Sequence, residues 1–195
     1  MVQQITADIE FLFNLGFKSF AISNIGPTGC LPSMAKQNNY SSCDATSNAL
    51  ALYHNSLLAS SIATLQNTLP NVELITLDFN DAFNVVLQGM VPLHSILSYN
   101  LSSRLVDIFN VNYVCLKLAF STTSIGFLSN GTQQPYSSCC RGINDATCGE
   151  VDEQDVPLYT VCSSPSESFY WDEAHPTDAA WKAISNVIFL GLEDN

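Results

Sequence analysis

The chain has 195 residues, which is enough for one domain with a buried core, and 47% of them are hydrophobic. A composition of this kind excludes a disordered or fibrous chain. The 18 acidic residues outnumber the 6 basic ones, and the net charge of -12 argues against nucleic acid or an anionic membrane surface as a partner, because both attract clustered Lys and Arg.

The first two predicted elements are a helix and a strand. The opening residues predict an amphipathic helix that stops at Gly16 and whose apolar face carries Ile5, Ile9, Leu12 and Phe13. The stretch KSFAISNIG, residues 18–26, predicts a short buried strand that ends at a Gly-Pro turn. A loop bracketed by Cys30 and Cys43 follows the turn.

A long helix is predicted after this loop. It runs from Asp44, which can cap its start, to Leu69, because Pro70 cannot continue it. Its predicted core-facing residues recur at spacings of three to five, and they are Leu50, Tyr53, Leu57, Ile62, Leu65 and Leu69.

A second strand and a third helix complete an alternating pattern. The stretch VELITLDF, residues 72–79, is strand-like, and NDAFNVVL after it predicts a helix capped by Asn80 or Asp81. Alternating helices and strands are typical of an α/β domain with a parallel sheet. Ligands bind at the carboxyl ends of the strands in such sheets, and here those ends are NIGPTGC and DFNDAF.

The second half of the chain is predicted to be irregular until a last helix. Residues 139–162 form a polar loop without periodicity, and the last helix begins at Pro176 and buries Ala180, Ile184, Val187 and Ile188. No transmembrane helix is predicted, since the longest uncharged stretch, residues 82–103, is broken by Gly89 and Pro92.

Seven cysteines are many for a chain of this length: Cys30, Cys43, Cys115, Cys139, Cys140, Cys148 and Cys162. Their spacing does not fit a zinc site, so no metal or other cofactor is predicted. They favour a disulfide framework, with Cys30 and Cys43 as the local pair, and therefore an oxidising compartment. Glycosylation sequons at Asn39, Asn100 and Asn130 agree with an extracellular or secretory location.

The first residues do not form a secretory signal, because polar and acidic residues interrupt their apolar run. Either the protein is not secreted or its functional sequence begins upstream of this chain, and the second interpretation is favoured.

An aspartate and a histidine form the clearest candidate site. Asp172 and His175 are three residues apart and directly precede Pro176. A turn there can fold the carboxylate onto one imidazole nitrogen and leave the other pointing into a cleft. Such a carboxylate fixes the tautomer and stabilises the imidazolium that forms when histidine accepts a proton. The alternative is that Asp172 caps the last helix and His175 is a partly buried surface histidine.

The stretch FYWDEAHPTDAAW resembles the last block of the plant GDSL esterase/lipase family, which belongs to the SGNH hydrolases. The resemblance extends back through LGFKSFAISNIGPTGCLPS, the loop that begins with two adjacent cysteines, and the helix containing ALYHNSLLASSIATL. It implies the C-terminal part of an α/β/α sandwich with a parallel sheet, and hydrolysis of small-molecule or lipid esters through an acyl-enzyme. In this match Asp172 is the acid of a Ser-His-Asp triad and His175 is its general base.

The nucleophile that the resemblance implies is missing, because the sequence contains neither Gly-Asp-Ser nor a G-x-S-x-G elbow. The resemblance places it upstream, together with the first three strands, so the chain alone is expected to be inactive. A literal match to the oxyanion-hole motif, GIND from Gly142 to Asp145, follows the cysteine pair instead of a strand, and coincidence is favoured.

No other side chain carries a sign of activation. Ser23 lies near the end of the first strand, and Ser137 and Ser138 lie beside the cysteine pair. His54 is predicted to pack on the face of the long helix, and His94 has no carboxylate nearby in the sequence.

Residues 91–118 have no counterpart in the family resemblance and are predicted to be a foreign insertion in a single truncated domain of residues 1–195. The two interpretations are translated non-coding sequence and a lineage-specific lid over the acyl site. Cys115 lies in this stretch and is the predicted free thiol, whereas the other six cysteines match those of the family. The competing hypotheses for the chain are a non-catalytic secreted glycoprotein that binds a ligand or partner, and a fragment without a stable fold.

Overall fold

The computed structural model describes residues 1–88 and 136–193. Helix α1, Val2–Asn14, ends just before Gly16, whose φ of +106° is a conformation that favours glycine. Strand β1 follows at Ser19–Ser23. Both elements therefore lie where the sequence predicts them.

The loop between Cys30 and Cys43 contains short helical turns. A 3-10 turn at Thr28–Cys30 precedes the four-residue helix α2, Pro32–Ala35, and a second 3-10 turn lies at Lys36–Asn38. Pro32 occupies the first helical position, where its missing N–H is not needed.

Helix α3, Ala45–Thr68, confirms the long predicted helix, but its predicted core face is wrong at three positions. Leu50, Tyr53 and Leu57 are 65%, 63% and 42% exposed. Apolar residues occur on several sides of the first half of this helix, so their spacing alone does not identify the side that packs. The buried residues of the helix are Ala51, Leu58, Ile62 and Leu65.

Strand β2, Glu73–Leu77, pairs with β1 in parallel, from Ser19 opposite Glu73 to Ser23 opposite Leu77. Helix α3 connects the two strands. The predicted parallel sheet is confirmed. Within the described residues this sheet has two strands, which is consistent with an incomplete α/β fold.

Helix α4, Phe79–Leu87, begins earlier than predicted. Its cap is Asp78, whose Oδ1 accepts the N–H of Asp81 at 2.9 Å, so the prediction of Asn80 or Asp81 as the cap is wrong. The sequence offers three candidate caps within four residues, Asp78, Asn80 and Asp81, and only the geometry selects among them.

The last helix, α5, spans Asp178–Glu193 and begins after Pro176 rather than at it. Thr177 caps it, because its Oγ1 accepts the N–H of Ala180 at 3.1 Å. Ala180 and Ile184 are fully buried, as predicted for this face of the helix.

Residues 139–162 are more regular than predicted. Strands β3, Cys140–Gly142, and β4, Tyr159–Val161, pair in antiparallel fashion. The sequence does not reveal them because three-residue strands are too short to show an alternating apolar pattern. A 3-10 turn at Pro165–Glu167 then leads to the candidate site.

Disulfides are present, and they use the six cysteines predicted for the framework. The bonded pairs are Cys30–Cys43, Cys139–Cys162 and Cys140–Cys148. The last two pairs begin at neighbouring residues, so the start of β3 is crosslinked in two directions.

Two apolar cores lie on different elements. One joins α1, β1 and α3, and its buried members are Ile9, Ile22, Leu58, Ile62 and Leu65. The other joins α4 and α5 and includes Phe83, Phe169, Tyr170, Ala180 and Ile184. The second core contains Phe169 and Tyr170, which directly precede the Asp–His segment, so it positions the candidate site.

Residues 89–135 lie outside the described residues, and so do the predictions that fall on them. These are the insertion at 91–118, the free thiol of Cys115, His94, and the sequons at Asn100 and Asn130. In the part of the chain that the structure describes, no helix is long and apolar enough to cross a membrane.

Candidate active site

The segment that carries the Asp–His pair is supported on one side by two cysteines. The N–H of Cys139 donates to the carbonyl of Tyr170 at 2.9 Å, and the N–H of Cys140 donates to the carbonyl of Trp171 at 2.6 Å. Because these cysteines belong to different disulfides, their backbone is restrained. The chain is therefore held immediately before Asp172.

The other side of the segment is closed by the returning chain. The N–H of Trp171 donates to the carbonyl of His175 at 2.7 Å, and the N–H of Thr177 donates to the carbonyl of Phe169 at 2.8 Å. Asp172 lies in the turn that these two bonds close. The predicted turn is therefore present, and it brings Asp172 and His175 together.

The carboxylate of Asp172 faces the imidazole of His175. Nδ1 of His175 lies 2.8 Å from Oδ2 and 3.0 Å from Oδ1 of Asp172. Oδ1 also accepts the backbone N–H groups of Ala174, at 2.9 Å, and of His175, at 2.8 Å. The carboxylate thus fixes both the turn and the orientation of the ring, and it favours the tautomer with the proton on Nδ1.

The surroundings of Asp172 keep its carboxylate ionised. Partial burial acts to raise the pKa of Asp172, but the hydrogen bonds from Ala174 and from the ring and backbone of His175 outweigh burial and hold the pKa below its usual value. A carboxylate that stays charged can stabilise a protonated imidazole beside it.

His175 is open to solvent. Its side chain is 74% exposed, whereas that of Asp172 is 26% exposed. The predicted cleft around the imidazole is therefore not formed by the residues that the structure describes. The described hydrogen bonds of the ring use Nδ1. The other ring nitrogen, Nε2, is the atom that a triad histidine presents to its nucleophile.

The interpretation of Asp172 as a helix cap is wrong. Helix α5 begins at Asp178, and the hydroxyl of Thr177 accepts the N–H of Ala180 in its first turn. Asp172 instead accepts N–H groups from its own turn, so its position serves the contact with His175.

The remaining serine and histidine candidates take no part in this contact. Ser23 is exposed at the end of β1, Ser137 is half-buried, and Ser138 is buried. Among the hydrogen bonds of the described residues, none joins these serines to His175. His54 is half-buried on α3, in agreement with its predicted packing role.

The GIND stretch has a structural explanation. Asn144 and Asp145 have φ values of 52° and 68°, and they form a tight turn inside the loop closed by the Cys140–Cys148 disulfide. A Cβ at Gly142 would collide with the carbonyl of Ala146, so only glycine fits there. These contacts explain why Gly142, Asn144 and Asp145 occur in this loop, and the explanation does not require a role in an oxyanion hole.

A network of asparagines joins the carboxyl ends of β1 and β2. The sequence predicts ligand binding at this edge of the sheet but not these individual hydrogen bonds. The amide of Asn24 donates to Asp78 Oδ1 at 2.8 Å, and its oxygen accepts the N–H of Asn80 at 3.0 Å. Asn55 of α3 holds the next residue, since it accepts from the N–H of Ile25 and donates to its carbonyl. Long-range pairs of this kind leave no periodic signal in a sequence.

A pocket of about 380 Å³ opens beside this network, at the edge where the sheet geometry predicts ligand binding. Its polar lining residues are Asn24, Asn55, Thr76, Asp78, Asn80 and Asp81, and α3 supplies its apolar side. His175 does not line it. In the same described residues, no group of three or more His, Cys, Asp or Glu side chains is arranged to hold a metal ion.

Comparison with known proteins gives consistent relatives. The family model described as GDSL-like Lipase/Acylhydrolase matches residues 1–188. The chain is 28% identical to "GDSL esterase/lipase At5g03610" of Arabidopsis thaliana over 96% of the chain and 44% of that protein. It is 25% identical to "GDSL esterase/lipase ACHE" of Zea mays over 98% of the chain and 43% of that protein.

The match to the family model includes residues 91–118. The interpretation of these residues as an insertion stays a prediction. The chain spans just under half the length of the curated relatives that it matches, for example 46% of "GDSL esterase/lipase At3g09930" of Arabidopsis thaliana, to which it is 27% identical over 99% of its own length. Because the family model covers nearly all of its residues, this chain belongs to the family of GDSL-like lipases and acylhydrolases.

Proposed function

We propose that this chain provides the general base and its orienting acid in a carboxylic-ester hydrolase. The observation that carries the proposal is the 2.8 Å contact between Asp172 Oδ2 and His175 Nδ1, on a turn whose carboxylate also accepts two backbone N–H groups. Membership of a family of lipases and acylhydrolases supports this reaction class.

The chemistry follows from the orientation of the ring. Asp172 keeps the proton of neutral His175 on Nδ1, so Nε2 carries the free lone pair. Nε2 can then remove the proton of a serine hydroxyl as that oxygen attacks the ester carbonyl, and return the proton to the leaving alcohol. The ionised Asp172 stabilises the imidazolium between these two steps.

The serine itself is proposed to come from the part of the full-length protein that this chain does not include. The sequence contains no Gly-Asp-Ser, and relatives of this family are about twice as long as the matched stretch. The 74% exposure of His175 supports this proposal, because the ring remains accessible to another segment.

The proposed substrates are esters of small molecules or lipids. This class follows from the family and from a triad that requires only an ester carbonyl at the nucleophile. The excess of acidic residues favours neutral substrates over anionic ones, since a net charge of -12 repels anions.

A chimaera tests the proposal. Residues 1–195 replace the matched part of the Arabidopsis relative At5g03610, and hydrolysis of p-nitrophenyl butyrate is measured beside the unmodified relative. We expect turnover that His175→Ala lowers by about 10³-fold or more. His54→Ala is the matched control, because His54 is half-buried on α3, and it should leave turnover nearly unchanged.

Two results would contradict the proposal. Turnover that survives His175→Ala would remove the general base from this position. A folded chimaera without turnover, beside an active relative, would instead favour the non-catalytic binding module.

We also propose that the full-length protein passes through the secretory pathway. The three disulfides support this, because they persist in oxidising compartments. The sequon at Asn39 is exposed and so accessible to glycosylation. After expression in plant cells, peptide N-glycosidase A should shift the band of the protein, and Asn39→Gln should reduce that shift. An identical shift in the variant would contradict glycosylation at Asn39.

A further inference from the structure

We propose that the Cys139–Cys162 disulfide is a positioning element for the Asp172–His175 pair, so that the pair keeps its geometry only while this bond is intact. The inference rests on the proposed function, since positioning matters only if the pair acts on a substrate. The disulfide would thereby make the site sensitive to reduction.

Cys139 links the disulfide to the site through its backbone. It is 4% exposed, and its N–H donates to the carbonyl of Tyr170 at 2.9 Å. Its own carbonyl accepts the N–H of Cys162 at 2.8 Å. A continuous row of backbone bonds therefore runs from Cys162 through Cys139 to Tyr170, two residues before Asp172.

Cys162 contacts the start of the same segment. The hydroxyl of Ser168 lies 3.5 Å from its Sγ, and the carbonyl of Ser168 accepts the hydroxyl of Thr177 at 2.7 Å. Ser168 precedes the Asp–His turn and Thr177 follows it. Cys139 thus bonds to Tyr170 within the segment. Cys162 lies beside Ser168, which bonds to Thr177 where the two ends of the segment meet.

The tip of the turn is held by hydrogen bonds, among them one from the N–H of Ser33 to the carbonyl of Glu173 at 3.2 Å, and has no buried side chain of its own. Glu173, Ala174 and His175 are exposed, so apolar packing does not hold them. The neighbouring hairpin of β3 and β4 consists of three-residue strands, and short two-stranded hairpins are marginal by themselves in water. The Cys139–Cys162 crosslink therefore acts together with the burial of Tyr170 and the bond from Cys140 to Trp171 to keep Cys139 beside Tyr170.

The Cys30–Cys43 disulfide serves for comparison. It closes a loop of sequence separation 13 that reaches the site turn through one bond, from the N–H of Ser33 to the carbonyl of Glu173 at 3.2 Å, and it takes no part in the row of bonds from Cys162 to Tyr170. Its removal is expected to destabilise the protein while leaving the row of bonds from Cys162 to Tyr170 intact.

The tautomer of neutral His175 is the measurement that separates positioning from stability. Asp172 favours the proton on Nδ1, whereas an imidazole without a partner populates mainly the Nε2–H form. The ¹⁵N shifts of the ring nitrogens report this ratio, and they are recorded at increasing pH until they no longer change. The His175→Gln variant identifies the signals of His175.

We expect the double variant C139A/C162A to lose the Nδ1–H preference and to resemble Asp172→Asn. The double variant C30A/C43A should keep the wild-type tautomer even if it unfolds at a lower temperature. A folded C139A/C162A variant that retains the Nδ1–H form would overturn the proposal, and so would equal loss in both double variants.

Graded reduction of the wild-type chain decides the matter if C139A/C162A fails to fold. Alkylation and mass mapping follow which disulfide opens, and far-ultraviolet circular dichroism follows the helices. The Nδ1–H signal should be lost in step with opening of Cys139–Cys162, before the helices unfold, and return on reoxidation. A signal that persists until the helices unfold would overturn the proposal.

The tautomer does not depend on ester hydrolysis. An inactive chimaera would therefore contradict the proposed function and leave the structural link measurable. Conversely, an active chimaera whose tautomer ignores the disulfide would contradict the positioning role alone.

Discussion

Asn24 and Asp78, which follow the two parallel strands, are joined by a hydrogen bond of 2.8 Å from the amide of Asn24 to Oδ1 of Asp78. The same Oδ1 accepts the N–H of Asp81 in the first turn of α4, and the amide oxygen of Asn24 accepts the N–H of Asn80. One asparagine side chain thus connects the end of β1 to the start of α4.

Asn24→Ala should lower the free energy of unfolding by about 1–2 kcal/mol, because it leaves two partners without their hydrogen bonds. Asn24→Asp should cost more, since it would place a second carboxylate against Asp78. Urea unfolding measures both. Asn186→Ala, at an exposed position of α5, is the control, and we expect a change within about 0.5 kcal/mol. Equal effects of Asn24→Ala and Asn186→Ala would show that the Asn24 link does not contribute.

Phe83 should be among the most sensitive positions of the second core. It is 8% exposed, and its ring centroid lies 5.7 Å from those of both Phe169 and Trp181. Phe83→Ala should lower the free energy of unfolding by about 3–5 kcal/mol, through lost burial and the cavity that remains. Thermal and urea denaturation measure the loss.

Leu50→Ala is the matched control for Phe83→Ala. The apolar spacing of α3 predicts Leu50 as a core residue, but it is 65% exposed, so we expect a cost below about 1 kcal/mol. A cost for Leu50→Ala close to that of Phe83→Ala would mean that the exposed side of α3 is covered in solution.

The contrast between Leu50 and Phe83 shows where sequence patterns suffice. Apolar spacing and capping residues identify α1, α3 and α4, each of which has buried residues, and short apolar runs identify both parallel strands. The spacing does not identify the buried side of α3, since Leu50, Tyr53 and Leu57 have the spacing of a core face. Which side packs depends on the elements that approach it, and those contacts are long-range.

The candidate site was predictable for a different reason. Asp172 and His175 are three residues apart, so a local turn suffices to join them, and a proline after them restricts the chain. The sequence also predicts that the four cysteines between 139 and 162 tie the loop that presents this pair, and they form two disulfides. The backbone hydrogen bonds from Cys139 and Cys140 to the turn, more than thirty residues later, were not predictable because they do not depend on side-chain identity.

The pH dependence of stability should report the contact of Asp172. Burial raises its pKa, but the hydrogen bonds from Ala174 and His175 outweigh burial, so the folded-state pKa lies below the unfolded value of about 3.9. The stabilising contribution of ionised Asp172 is therefore fully present above the unfolded-state pKa and is lost as the pH falls through the folded-state pKa. The difference in unfolding free energy between the wild type and Asp172→Asn should be constant above about pH 5 and shrink below about pH 4.

Asp81 should behave in the opposite way. Burial, followed by the charge of Asp78, raises the pKa of Asp81. The stabilising contribution of protonated Asp81 is present below the unfolded-state pKa and is lost as the pH rises through the folded-state pKa. Asp81→Asn should therefore become more stable relative to the wild type as the pH rises. Parallel profiles for Asp81→Asn and Asp172→Asn would contradict both assignments.

The chain by itself should not hydrolyse p-nitrophenyl esters above its own His175→Ala variant. A base and its orienting acid accelerate acyl transfer only through a nucleophile, and the residues that hydrogen-bond to His175 in the described structure include no serine.

In the active chimaera, Asp172→Asn should lower turnover by about 10⁴-fold, as in the template serine triad, because Nδ1 of His175 would lose its carboxylate acceptor. Hydrolysis by the isolated chain that depends on His175 would contradict this account. The first nucleophile to test would then be Ser23, exposed at the end of β1, by comparing Ser23→Ala with Ser137→Ala.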